Sequence, residues 1–140
     1  MKNQVVRNAL FFVLILALSF SCGPNKQERL FKHILSAREK IYLHDFNGAM
    51  EDLEKAEKID NSNPEIYFLR ANIQMTYREY EAAMENYNKA IELDENYMEA
   101  YVNRGKLWFY LGDSDKRCED YLKAESLGAT NLYEETKFCR

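Results

Sequence analysis

The sequence predicts an all-α protein, a solenoid of helical hairpins with three repeats and a C-terminal capping helix. Three observations carry this. First, residues recur at a spacing of 34: Ala37, Ala71 and Gly105; Ala56, Ala90 and Ala124; Leu53, Tyr87 and Tyr121. Second, charged residues keep the same period, in Glu51, Glu85 and Glu119 and in Lys55, Lys89 and Lys123. Third, turn residues fall between the periodic stretches, with Asn63-Pro64 opening one unit and Gly112-Asp113 dividing another. A fixed period of this length marks units that bury their apolar faces only by stacking on one another. Such an array offers a surface for holding a partner.

The N-terminal 21 residues stand apart. Lys2 and Arg7 precede an almost unbroken apolar run from Ala9 to Phe20. A helix over that run would reach about 18 Å, well short of the ~30 Å of a bilayer core. A basic start followed by a short apolar run is the pattern of an export signal, to be set aside from the fold. Residues 22–29 then read as a tether, with Pro24 to Arg29 polar throughout.

Repeats are expected over 30–63, 64–97 and 98–129, each made of two helices and a turn. In the second unit the helices run from Glu65 to Tyr77 and from about Tyr80 to Leu93, with Asn63 capping and Pro64 at the first helical position. Asp60, Asp94 and Gly128 fall where the second helices end. Glu51 with Lys55, Glu85 with Lys89 and Glu119 with Lys123 are i, i+4 pairs in the favourable order, each contributing about 0.2–0.5 kcal/mol on an exposed face. Ala37, Ala71 and Gly105, with Ala49 and Ala83, supply the small side chains that close helix crossings require. Residues 130–140 read as the capping helix, with Leu132, Tyr133, Thr136 and Cys139 on an apolar stripe.

The order Tyr67, Ala71, Tyr80, Ala83, Tyr87 and Ala90, at this period, resembles the tetratricopeptide repeat (TPR) family. The likeness covers residues 30–129. His33 departs from it where a large aromatic is usual, and Arg117 where a small alanine is usual, with Gly105 opposite as a source of room. The segment Leu18-Ser19-Phe20-Ser21-Cys22-Gly23 resembles a bacterial lipoprotein signal, apart from Ser19 in place of the usual aliphatic residue. That resemblance implies cleavage before Cys22, lipidation of its thiol, and by the family's sorting rule an outer-membrane destination given Gly23.

Cys118 and Cys139 lie symmetrically about the Gly128-Ala129 turn, so an antiparallel hairpin there would bring them face to face. They are expected either as a disulfide, which an exported compartment permits, or as two buried thiols packing as small hydrophobes.

Composition narrows the function. The chain carries 19 basic and 23 acidic residues. Removing residues 1–21 takes Lys2 and Arg7 and no acid, which leaves 17 basic residues and a formal charge of −6. That sign disfavours nucleic acid. His33 and His44 are the only histidines, and no phosphate loop, nucleophile elbow or zinc-ligand spacing is present. No catalytic residue, cofactor, metal site or small-molecule substrate is expected.

In the TPR family the first helix of each unit lines the concave face. The likeness thus implies a partner-binding groove containing Arg38, Phe68, Asn72, Met75, Val102, Lys106, Phe109 and Tyr110. Arg38, Asn72 and Lys106 share one phase and would form a polar track, while Phe68, Met75 and Phe109 could equally be partly core. Ile34, Phe68 and Val102 stand where some relatives carry clamp residues for a C-terminal carboxylate, so that mode is not expected. The resulting expectation is a non-enzymatic adaptor, anchored by lipid at a bacterial envelope membrane and holding a segment of another protein. The alternative is a fixed structural subunit of an envelope secretion or surface-assembly machine.

Overall fold

The computed structural model describes residues 23–137 and Cys139, and among these every regular element is helical. The helices are α1 (Lys26–Tyr42), α2 (Phe46–Ile59), α3 (Pro64–Tyr77), α4 (Tyr80–Leu93), α5 (Met98–Leu111), α6 (Ser114–Ser126) and α7 (Tyr133–Thr136). They pack as three hairpins, α1 with α2, α3 with α4 and α5 with α6, and the hairpins stack through α2 on α3 and α4 on α5. This is the TPR-like solenoid. The cysteine expected to carry lipid, Cys22, lies outside the described residues.

The local chemistry sets the boundaries. Asn63 accepts from the Glu65 amide at 3.0 Å and Pro64 follows at the first helical position, so α3 starts one residue before Glu65. Asp113 caps α6 by accepting from the Lys116 amide at 3.0 Å, after Gly112 ends α5 at φ 77°. Arg78 and His44 adopt the same left-handed turn at φ 62° and 60° without being glycine.

Three expectations need correction. The segment 22–29 is not wholly a tether, because Asn25 accepts from the Glu28 amide at 2.8 Å and α1 begins at Lys26. A good cap ahead of helix-forming Lys, Gln, Glu and Arg outweighs the polarity of the stretch. The cap over 130–140 contracts to the single turn of α7, since Asn131 turns the chain at φ 66°. Leu132 and Thr136 are buried, but Tyr133 points outward. The expected i, i+4 pairs are also replaced: Lys55 reaches Asp52 at 3.5 Å, Lys89 reaches Glu92 at 3.0 Å, and Lys123 lies 5.8 Å from the Tyr101 ring centre.

Small residues place the hairpins. Ala37, Ala49, Ala71, Ala83, Ala90 and Ala100 are fully buried at the crossings. A Cβ at Gly105 would lie 2.6 Å from the Tyr121 ring, so that glycine makes room for Tyr121 and not for Arg117. Arg117 instead lays its guanidinium 5.7 Å from the Phe109 ring centre, with its Nε buried and unbonded among the described residues.

Candidate partner-binding groove

The first helices α1, α3 and α5 present one face together, and it forms a groove between two rims. One rim is made by the loops joining the units, the other by the turns inside the hairpins. Near the first rim, Phe68 of α3 and Tyr97 before α5 pack ring to ring with centroids 5.0 Å apart. They form the floor of a cleft of about 490 Å³, walled by Arg38, Glu65, Asp94 and Glu99. Burial raises the Tyr97 hydroxyl pKa, and the neighbouring carboxylates of Glu65 and Glu99 raise it further. Near the second rim, Met75, Thr76, Arg78, Tyr80 and Tyr110 line a cleft of about 460 Å³. There Tyr80 and Tyr110 stack, with centroids 5.6 Å apart and planes 14° from parallel.

The polar track is tied down internally. Arg38 donates to Glu65 across two units. Asn72 accepts from the Tyr87 hydroxyl at 2.7 Å and from Asn103 at 2.9 Å, and Lys106 donates to Asn103 at 3.2 Å. Asn103 thus links α3 to the lysine of α5. Of the apolar groove residues, Phe68, Met75 and Val102 are half-buried and pack into core clusters. Ile34 is buried outright. Tyr110 is 60% exposed and lines the second cleft. Phe109, expected in the groove, turns instead to the C-terminal end and lines a separate cleft with Arg117, Tyr121, Glu134 and Glu135, because no further unit follows to pack on it there among the described residues. The cysteines Cys118 and Cys139 lie away from the groove and form a disulfide, with Cα atoms 5.4 Å apart.

The position before Leu53, Tyr87 and Tyr121 carries chemistry that the sequence reading passed over. Asp52, Asn86 and Asp120 share one phase and each answers a polar group on the first helix of its own unit. Asp52 accepts from Ser36 and Lys40, both at 2.6 Å, and lies 3.4 Å from the His33 ring. Asn86 donates to Gln74 at 2.9 Å. Asp120 takes both Nε and Nη2 of Arg104 at 2.9 and 2.6 Å. Burial would raise the Asp52 carboxyl, but hydrogen bonds from Lys40 and Ser36 overcome it and hold the group well below the usual range. A polar residue repeating every 34 positions on an otherwise apolar face was the available signal. The same comparison bears on His33: Tyr67 and Tyr101 donate to the loop carbonyls of Asn61 and Glu95, whereas His33, with no such loop before it among the described residues, turns to Asp52.

Among the described residues no group of three His, Cys, Asp or Glu side chains could hold a metal ion. No described helix is long and apolar enough to cross a membrane.

A family model described as TPR repeat matches residues 79–112, from the turn before α4 to the end of α5. No curated protein matches the chain. Among solved structures it is similar to the first TPR of Spaghetti (RPAP3) bound to an HSP90 peptide, with a TM-score of 0.73 and 20% identity over 82% of this chain and 92% of that one. It is also similar to the Arabidopsis OM64 TPR domain, with a TM-score of 0.72 and 20% identity over 82% and 93% of the two chains. A third likeness is to Pseudomonas aeruginosa PilF, with a TM-score of 0.68 and 22% identity over 81% of this chain and 50% of that one. At these identities the likeness establishes the fold.

Proposed function

We propose that this protein is a non-enzymatic adaptor whose groove over α1, α3 and α5 holds a segment of another protein. The observation that supports it most is the groove itself, which combines the exposed ring of Tyr110 with two clefts and a pre-ordered polar track. Apolar anchors among a few fixed hydrogen-bonding groups suit a peptide segment. The Spaghetti domain carries a peptide on the same fold, which is consistent with this use. The apolar run from Ala9 to Phe20, followed closely by Cys22, supports attachment through lipid to a bacterial envelope membrane, with Gly23 favouring the outer one. The second reading is a fixed subunit of an envelope machine, which would bury a further face; the exposed Phe31 and Leu35 of α1 offer one.

The test is cross-linking in intact cells, followed by purification through a C-terminal tag. The control is Lys106→Glu combined with Tyr110→Ala, two exposed positions, because Phe68 is too deeply packed to change without disturbing the core. A partner captured by the parent protein and lost in the control is the expected result. Identical capture by both would remove the groove from the function.

A further inference from the structure

The two ends of the groove differ in charge, and this specifies the partner further. The cleft over Phe68 and Tyr97 is bordered by Glu65, Asp94 and Glu99 against the single cation Arg38, which Glu65 already engages. The N-termini of α3 and α5 each bring about half a positive charge there and the C-terminus of α4 about half a negative one. The cleft therefore stays negative. The cleft at the other rim has no acid in its lining and carries Arg78 beside the Tyr80–Tyr110 stack and Met75. Among the described residues, neither Glu99 nor Arg78 has an ion-pair partner.

We infer that the partner is a protein segment bearing an arginine or lysine for the Phe68–Tyr97 cleft and, about four to five residues away, a large apolar side chain for the Tyr80–Tyr110 cleft. Aromatic rings ringed by carboxylates favour a cationic side chain through both ion pairing and cation–π attraction. The spacing comes from α3, along which residues 68 and 78 are about 15 Å apart. An extended strand covers that distance in about four to five residues. A bare acidic C-terminus would meet repulsion at Glu65 and Glu99 where it needed cations. This inference rests on the groove reading above and narrows it to one chemistry.

The test pans a phage-displayed random dodecapeptide library against the full-length chain in mild detergent, then measures recovered peptides by fluorescence anisotropy. Recovered peptides should carry the basic residue and the apolar one at that spacing. Glu99→Lys should weaken them by about 10-fold or more, and Tyr110→Ala by about 5-fold, with helical content by circular dichroism retained in both. Rising salt should weaken binding as well. Groove-dependent peptides that are acidic or without basic bias would overturn this inference and leave the adaptor reading standing. So would basic peptides indifferent to Glu99→Lys. If no recovered peptide responds to Lys106→Glu with Tyr110→Ala, both readings fall.

Discussion

At the N-terminal end of the array, positions that are apolar in the inner units become charged: Lys32 stands where Ile66 and Ala100 are buried, and Glu39 where Ile73 and Leu107 are buried. At the C-terminal end the chain adds material instead. Leu132 and Thr136 close over Tyr121 and Ala124, and the disulfide from Cys118 to Cys139 fastens the segment down. The first end is finished by making a face unattractive to a further repeat, the second by covering the face and binding the cover covalently. A solenoid needs both ends dealt with, and among the described residues the first is altered by substitution, with Leu35 left 51% exposed beside it, while the second is covered.

The largest expected effect comes from breaking the C-terminal clasp. Changing both Cys118 and Cys139 to Ser removes a link closing 21 residues of chain, and should lower stability by about 3 kcal/mol. Denaturant unfolding with and without reductant measures this, and hydrogen exchange should show α7 opening while α1 and α2 keep their protection. Unchanged stability would mean that Leu132 and Thr136 hold the cap unaided.

At the other end, Asp52→Asn weakens the polar tie between α1 and α2 and should cost about 1–3 kcal/mol. The same residue sets a pH dependence. Its folded pKa lies below the unfolded value, so its contribution is complete above about pH 4 and is lost as pH falls further. Glu57, lowered chiefly by its hydrogen bond from Arg70, acts in the same direction. The acid limb of a stability profile should be shallower in Asp52→Asn than in the parent protein.

Gly105→Ala should destabilise the third unit by about 1 kcal/mol, because the clash with Tyr121 exceeds what alanine's helix propensity returns. A more stable variant would show that the Tyr121 ring can shift.

The smallest effect on folding sharpens the comparison most. Lys32→Ile with Glu39→Ile restores the inner-unit pattern at the open end. Monomer stability should change by less than about 0.5 kcal/mol, while sedimentation should reveal self-association. A variant that stays monomeric would mean that the charges do not guard this face.

The hairpins, their number, the cap at Asn63 and the turn at Gly112-Asp113 were legible because period, apolar spacing and turn chemistry agree there. The helices that carry Phe68, Asn72 and Lys106 were legible, but burial was not: stacking on Tyr97 and bonding to Tyr87 decide how far Phe68 and Asn72 are covered. Both contacts join α3 to other parts of the second unit, and the bond from Asn103 to Asn72 crosses to the third; spacing along a single helix carries no information on any of them. The start of α1 was missed because a single cap at Asn25 outweighs the polarity of the four residues after it. The role of Asp52, Asn86 and Asp120 lay in the repeat and needed only to be read as polar residues answering one another across a hairpin.

The clasp between Cys118 and Cys139 also gives the molecule a mechanical polarity. Tension applied at Cys139 passes across the sulfur atoms into the middle of α6, so the chain between the two cysteines is shielded from it. Tension at the N-terminal side enters α1 at Lys26 with no such bypass. Pulled between its two ends, the array should yield first by peeling α1 from α2, while the last hairpin stays whole.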